Sequence, residues 1–250
     1  MTRLKDLIAD ANSKKYALGH FNFATSEVLR PIVEAAAELE LPVLLGTSEG
    51  ERKFIGLRQA VNLVKAFREE FGLSIFLNAD HTKSFEGVKA ATDAGYDAVL
   101  FDGSTLPFEE NLRITKQSVE YAKSKNPDII VEGELGYLPG ESKIQRERIV
   151  VKKEDYTKPL EARQFIAATK VDLLAPVIGN IHGLALGEPN LDIELLRDIK
   201  KNIGSVGMVL HAGSGIPGAQ ISSAIQAGIV IVHINTDLRV AFSDGLRDVL

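Results

Sequence analysis

Cysteine is absent from the chain. Disulfides and thiolate-ligated zinc are therefore excluded, and the composition fits a reducing compartment, so a cytoplasmic location is expected. Long apolar runs are also missing: none approaches the roughly 20 residues of a membrane-spanning helix. The opening MTRLKDLIADANSKK is amphipathic and charged, without the apolar centre of a signal peptide. Positive charge is not concentrated anywhere. The 29 Lys and Arg face 34 Asp and Glu, for a net charge of -5 and no basic stripe. Nucleic acid and membrane are thereby set aside as partners. An anionic small molecule is not, because helix N-termini and backbone N–H groups bind anions locally. No low-complexity segment or linker marks a domain boundary.

What is present is an alternation. In 250 residues, 45% of them hydrophobic, short apolar runs alternate with helical periodicity. A first helix over 3–15 precedes strands predicted at 16–21, 42–46, 74–79, 97–101, 129–135, 171–176, 207–210 and 229–234. Helices are predicted at 25–39, 57–71, 84–94, 107–124, 159–168, 191–202, 217–227 and 238–250, and a long polar loop at 136–156. The strands are continuous rather than alternating in polarity, as strands buried on both faces of a parallel sheet are. Eight such units at about 250 residues predict an α/β (β/α)8 TIM barrel with an extra N-terminal helix, a single domain over 1–250. A doubly wound open sheet would carry a Gly-rich fingerprint after its first strand, and GHFNFA is not one.

In a barrel, chemistry collects at the C-terminal ends of the strands. The five histidines are His20, His81, His182, His211 and His233, and each is expected at or just past such an end. Any one alone reads as a hydrogen-bonded structural residue; five on one rim point to a metal. The carboxylates Asp80, Asp102, Glu132 and Glu134 are expected on the same rim. Glu132 and Glu134 are two apart and share a strand face. Three imidazoles with an open position suit zinc acting as a Lewis acid. Asp80, next to a ligand, suits an acid or base, or else caps the following helix. Two Gly-rich segments, residues 179–183 and 211–217, are shaped for a phosphate, with Asn235, Thr236 and Asp237 in the same corner.

Several motifs together carry a resemblance: GHFNF, LLGTSEG, the pair Asp80 and His81, LFDGSTLPFEEN, EGELG, APVIGNIHG, GEPNLD, LHAGSGIP and HINTDLR. They resemble the class II, zinc-dependent fructose-bisphosphate and tagatose-bisphosphate aldolases over nearly the whole length. The resemblance implies that His81, His182 and His211 hold the catalytic zinc, with Glu134 beside it, and that Asp80 takes the C4 hydroxyl proton in cleavage. Asn22 and Ser48 match positions near the substrate. Gly183, Gly213, Ser214 and Thr236 match a phosphate cradle, with Asn235 and His233 counted among the substrate contacts. Ser104 matches a rim position beside Asp102. A monovalent cation (Na+ or K+) is implied near this corner, and a homodimer or homotetramer as the assembly. The implied reaction is reversible cleavage of fructose 1,6-bisphosphate to dihydroxyacetone phosphate and glyceraldehyde 3-phosphate, a step of glycolysis and gluconeogenesis. No Schiff-base lysine is needed; Lys65, Lys83 and Lys89 are expected on helix faces.

The chain departs from the family pattern in places. The loop after GELG reads Leu138-Pro-Gly-Glu-Ser-Lys, with Ser142 where a mobile glutamate is expected. Glu141 is one residue early and takes that acid/base role in this reading; Glu147 is more remote. His233 replaces an Asn, Ala212 opens what is usually a double Gly, and Ala185 and Leu186 replace an aromatic-Lys pair. The chain ends at Leu250, short of the C-terminal helices many members carry. Two further readings stay open: a tagatose-bisphosphate aldolase, whose substrate differs at C4 only, and a metal-binding barrel without catalysis.

Overall fold

Eight short apolar segments pair in parallel and close on themselves. In the computed structural model, which describes residues 2–147, 149, 151–184 and 190–250, the strands are β1 (Leu18–Asn22), β2 (Val43–Thr47), β3 (Ile75–Thr82), β4 (Ala98–Phe101), β5 (Ile130–Leu135), β6 (Gly140–Ile144), β7 (Leu173–Pro176), β8 (His182–Leu184), β9 (Gly207–Leu210) and β10 (Ile229–Ile234). The closed barrel runs β1-β10-β9-β7-β5-β4-β3-β2, and β6 pairs with β8 outside it. The helices are α1 (Leu4–Lys14), α2 (Ser26–Glu38), α3 (Glu49–Ile55), α4 (Leu57–Phe71), α5 (Phe85–Ala94), α6 (Phe108–Lys125), α7 (Pro159–Thr169), α8 (Ile193–Ile203), α9 (Gly218–Gln226) and α10 (Thr236–Val249). This is the (β/α)8 barrel with its extra N-terminal helix. Among the described residues, no helix is long and apolar enough to cross a membrane.

Two elements depart from the sequence reading. The expected long loop contains β6, which pairs with β8 through residues about forty apart in sequence, Gly140 with His182 and Ile144 with Leu184. Nothing local announces β6, whose side chains are mostly exposed. Helix α3 was not expected either. It is seven residues long and starts on a capping box: Ser48 is the N-cap and the Glu51 carboxylate returns to the Ser48 N–H at 2.7 Å.

The core has two parts, separated by the two-residue period of the strands. Val43, Leu45, Ile75, Leu77, Val99, Phe101 and Val131 pack outward against the helices. Leu18, Leu44, Ala98, Ile130, Leu173 and Val209 belong to an inner cluster that includes Leu4, Ile8 and Ala11 of α1. Helix α1 thus closes the N-terminal mouth of the barrel. Each fully buried Leu or Ile there contributes about 1.5–3 kcal/mol of transfer free energy. The same inward positions, followed toward the strands' C-terminal ends, become polar: Leu18 is followed by His20 and Asn22, and Ile130 by Glu132 and Glu134. The barrel is therefore apolar at the α1 end and carries its chemistry at the other.

Candidate active site

The histidines arrive at the site by different routes. His81 is the penultimate residue of β3 and takes φ 43°, the left-handed region that a branch-free glycine favours. Such strain persists only where the surroundings fix it. Here Arg52 does so. Its guanidinium, buried against the middle of α3, donates to the Asp80 carbonyl at 3.0 Å, to Thr82 Oγ1 at 3.0 Å and to the Thr47 carbonyl. His211 follows β9 directly. Its carbonyl accepts from the buried Asn180 Nδ2 at 3.1 Å. His182 lies beyond β7, on β8. His20 differs from expectation: it is the middle residue of β1, inside the barrel, and not at a strand end.

Three ring nitrogens converge. His81 Nε2 stands 3.2 Å from His182 Nε2 and 3.1 Å from His211 Nδ1. The outer nitrogens are held by carboxylates: His81 Nδ1 lies 3.0 Å from Asp102 Oδ2, and His211 Nε2 lies 2.7 Å from Glu132 Oε1. A carboxylate fixes a proton on the nitrogen facing it, so in the neutral tautomers bare lone pairs of His81 and His211 face each other. Two lone pairs at that distance repel unless a proton or a metal ion sits between them. Ligands at about 2.0–2.1 Å in a tetrahedral shell stand roughly 3.3 Å apart, which the observed separations approach. The donor set therefore fits a divalent ion with imidazole preference. Glu134, expected beside the metal, approaches the outer nitrogen of His81 instead: it is 1% exposed, its Oε2 is 3.5 Å from His81 Nδ1, and that oxygen makes no hydrogen bond among the described residues.

The carboxylates holding the outer nitrogens should matter for binding. Glu132→Gln leaves His211 without its anionic partner and is expected to weaken divalent-metal affinity about 10- to 100-fold, read by competition with a chromophoric chelator. Unchanged affinity would remove Glu132 from this role.

Electrostatics follow from burial and neighbours. Burial lowers His182, and the adjacent His81 and His211 lower it further, to about 3. Burial opposes charge on His81 as well, but Asp80, Asp102 and Glu134 outweigh it and raise the group to about 10. Burial, reinforced by Asp102, raises Glu134 to about 7. Asp80 is 4% exposed, and burial alone would raise it; His81 and His233 reverse this and hold it well below its ordinary value. Metal-free protein should then lose stability as the pH rises from 7 to 10. His81 titrates near 10 when folded and near 6.5 when unfolded, so its contribution is complete below pH 6.5 and disappears through pH 10. A bound divalent ion replaces that proton and should flatten the decline. Melting temperatures of chelator-treated and zinc-loaded protein at pH 7, 8.5 and 10 check this; parallel curves would refute it.

The remaining sequence-predicted residues divide. Asn22 Nδ2 donates to Asp80 Oδ2 at 3.0 Å and to Glu51 Oε2 at 2.9 Å. Asn22, Ser48, Asp80, His81, Ser142, His182, Gly183, His211, Ser214, His233, Asn235 and Thr236 all line one cavity of about 40 Å³. Gly213 does not: its N–H donates to the His233 carbonyl at 2.9 Å, so it is not a free anion donor. Ser214 Oγ already accepts from the Asn235 and Asp237 N–H groups at 3.3 and 3.2 Å. Gly183 has a packing reason to be glycine, since a Cβ would meet the Lys143 and Glu141 carbonyls at 2.2 and 2.4 Å. Ala212 carries φ 58°, a left-handed strain that the family's usual glycine would avoid.

Ser142, not Glu141, faces the small cavity. Glu141 is 74% exposed, pairs with Lys143 Nζ at 2.8 Å, and lines a wider cleft with His81, Asp102, Ser104, Glu134 and His182. Lys83 also lines that cleft, just past β3 and not on a helix face as expected. Glu147 is exposed beyond β6. Ala185 and Leu186 lie outside the described residues. Sequence reasoning passed over Arg52, Glu51 and Asn180. Only Glu51 had a local signal, in the capping-box spacing after LLGT.

Comparisons with known proteins identify the family. The family described as fructose-bisphosphate aldolase class-II matches residues 2–250. A fructose-bisphosphate aldolase of Geobacillus stearothermophilus is 38% identical over 253 residues, covering 100% of this chain and 86% of that protein. One from Staphylococcus aureus (strain Mu50 / ATCC 700699) is 36% identical over the same shares. Among solved structures, the YdjI aldolase from Escherichia coli K12 superposes with a TM-score of 0.85 at 29% identity, over 99% of this chain and 86% of that one. A putative fructose-1,6-biphosphate aldolase from Coccidioides immitis does so with 0.85 at 26%, over 98% and 85%. The chain belongs to the class-II fructose-bisphosphate aldolase family.

Proposed function

We propose that this chain catalyses reversible aldol cleavage of fructose 1,6-bisphosphate to dihydroxyacetone phosphate and glyceraldehyde 3-phosphate, with zinc held by His81, His182 and His211. The observation that carries the reading is the meeting of three imidazole nitrogens beside the buried carboxylate of Asp80. A divalent ion there supplies a Lewis acid for a ketone oxygen. Asp80, ionised because His81 and His233 hold it below its ordinary range, is the base for the C4 hydroxyl proton. Asn22 holds one of its oxygens. Glu141 is assigned the second proton transfer, supported by its place on the cleft wall with His81 and His182 and by Lys143, whose hydrogen bond keeps it ionised. Ser48, Gly183, Ser214, Asn235 and Thr236 bound the cavity where a phosphate-bearing substrate would bind. Gly213, though its N–H is taken, lets the turn before Ser214 approach β10: a Cβ there would stand 2.9 Å from the His233 carbonyl.

The test is a coupled cleavage assay on fructose and tagatose bisphosphates, on chelated protein with and without added zinc. Release of triose phosphates from the fructose substrate that disappears on chelation and returns with zinc is expected. A rate indifferent to chelation would overturn the metal role, and preference for the tagatose substrate would overturn the substrate.

A further inference from the structure

Of the five histidines, His20 has no part in the reading above, and His233 enters it only through its charge effect on Asp80. His20 and His233 lie on adjacent strands and are directly in register. Their rings stack with centroids 3.5 Å apart and planes 6° from parallel. The other face of His233 covers His211, at 4.3 Å and 26°. His233 is thus clamped between a buried histidine below and a metal-group histidine beside it. The barrel makes room for this column: a Cβ at Gly46 would stand 2.2 Å from His20 Cε1. Asn78 Nδ2, 3.2 Å from His20 Nε2, fixes the lower ring.

The clamped ring faces Asp80. His233 Nδ1 is 3.4 Å from Asp80 Oδ1, while Asn22 Nδ2 holds Oδ2 at 3.0 Å. Neither ring nitrogen of His233 and not Oδ1 of Asp80 has a closer partner among the described residues, and all three atoms are buried. Leaving them unpaired costs about 1–3 kcal/mol per group. A closure of roughly 0.3 Å would turn the approach into an ordinary N–H···O bond. A shared metal ion is a poor alternative, although His20, Asp80 and His233 lie close enough to suggest one. Lone pairs of parallel stacked rings lie in separate planes, so one ion cannot lie in both.

We propose that His233, clamped between His20 and His211, is a positioning residue for Asp80. Its Nδ1–H holds Oδ1 while Asn22 holds Oδ2, which fixes rotation of the carboxylate about its terminal bond. That torsion is otherwise soft, and small misplacements of a reacting group are costly in rate. The proposal rests on the proton-carrying role given to Asp80 above.

The test uses the zinc-loaded enzyme and the variants His233→Leu, His233→Asn, His233→Gln and His20→Gln, each checked for metal content and circular dichroism. The amide nitrogen of Asn stands where Nδ1 does, and that of Gln where Nε2 does. We expect His233→Leu and His233→Gln to lower kcat for cleavage about 10- to 100-fold, with KM and metal content within about twofold of wild type. His233→Asn keeps most of the rate. Solvent exchange of the dihydroxyacetone phosphate hydroxymethyl proton, which needs no transfer at the C4 hydroxyl, falls less than cleavage does in the Leu and Gln variants. In an Asp80→Ala background, His233→Leu adds less than about twofold. His20→Gln relaxes the clamp without touching Asp80 and should lower kcat several-fold at unchanged KM; should the leucine variant not fold, His20→Gln and His233→Asn decide. Equal rates for the Asn and Gln variants, exchange falling in parallel with cleavage, or additive losses with Asp80→Ala would each overturn the proposal. If Asp80→Ala itself cleaves normally, the role of Asp80 fails and the proposal with it. If Asp80→Ala is inactive but the His233 and His20 variants are not impaired, the positioning role alone fails.

Discussion

His81→Ala is expected to yield a folded barrel that holds no zinc after dialysis and cleaves at least about 10³-fold more slowly. His81 Nε2 is the nitrogen common to both short contacts, 3.2 Å to His182 and 3.1 Å to His211. Removing it leaves two imidazoles, one on β8 and one after β9, with no third ligand to close the set. Apparent metal-binding energies for four-ligand zinc sites are about 10–16 kcal/mol, so loss of one ligand costs a few kcal/mol, roughly 10²- to 10³-fold in affinity. The fold should survive. The backbone around His81 is held by Arg52 through the Asp80 carbonyl and Thr82 Oγ1, and neither bond involves the imidazole. Metal content by atomic absorption, read beside the cleavage rate and circular dichroism, is the measurement. Stoichiometric zinc in this variant would show that His81 is not a ligand.

Asp80→Ala should separate proton transfer from metal binding. General acid–base catalysis contributes about 10²- to 10⁴-fold, and a loss of kcat in that range is expected with zinc content unchanged. The carboxylate is not part of the three-nitrogen group; its Oδ1 lies 3.9 Å from His81 Nε2. Its truncation removes a partner from Asn22, but Asn22 keeps Glu51 at 2.9 Å, so the cavity wall should hold. Near-normal kcat would rule out Asp80 as the base; loss of zinc would instead make it part of the metal's surround.

The barrel was legible because parallel strands buried on both faces read as continuous apolar runs, and eight such runs were separated by helical periodicity. What was illegible had long-range or very short causes. Strand β6 exists through its pairing with β8, and its own residues carry no apolar pattern. Helix α3 is too short for a periodicity to show, yet it carries Glu51 and Arg52, which hold Asn22 and the strained backbone at His81. Glu141 and Ser142 show the limit of motif spacing. One residue along a strand reverses the face, so Ser142 meets the histidine cavity as well as the wider cleft, while Glu141 turns to Lys143 and reaches the cleft alone.

By itself the sequence determined the fold class and the rim on which the polar residues collect, and it picked out His81, His182 and His211, which meet there, without separating them from His20, which lies inside the barrel. These follow from periodicity, strand-end placement and motif, all of which are local along the chain. Only the tertiary structure decided which nitrogen of each ring faces its neighbours, which carboxylate orients it, and that His20 and His233 form a stacked column beneath the site. Closing the barrel brings the first strand against the last. Contacts made by that closure join residues more than two hundred positions apart, and no local pattern encodes them.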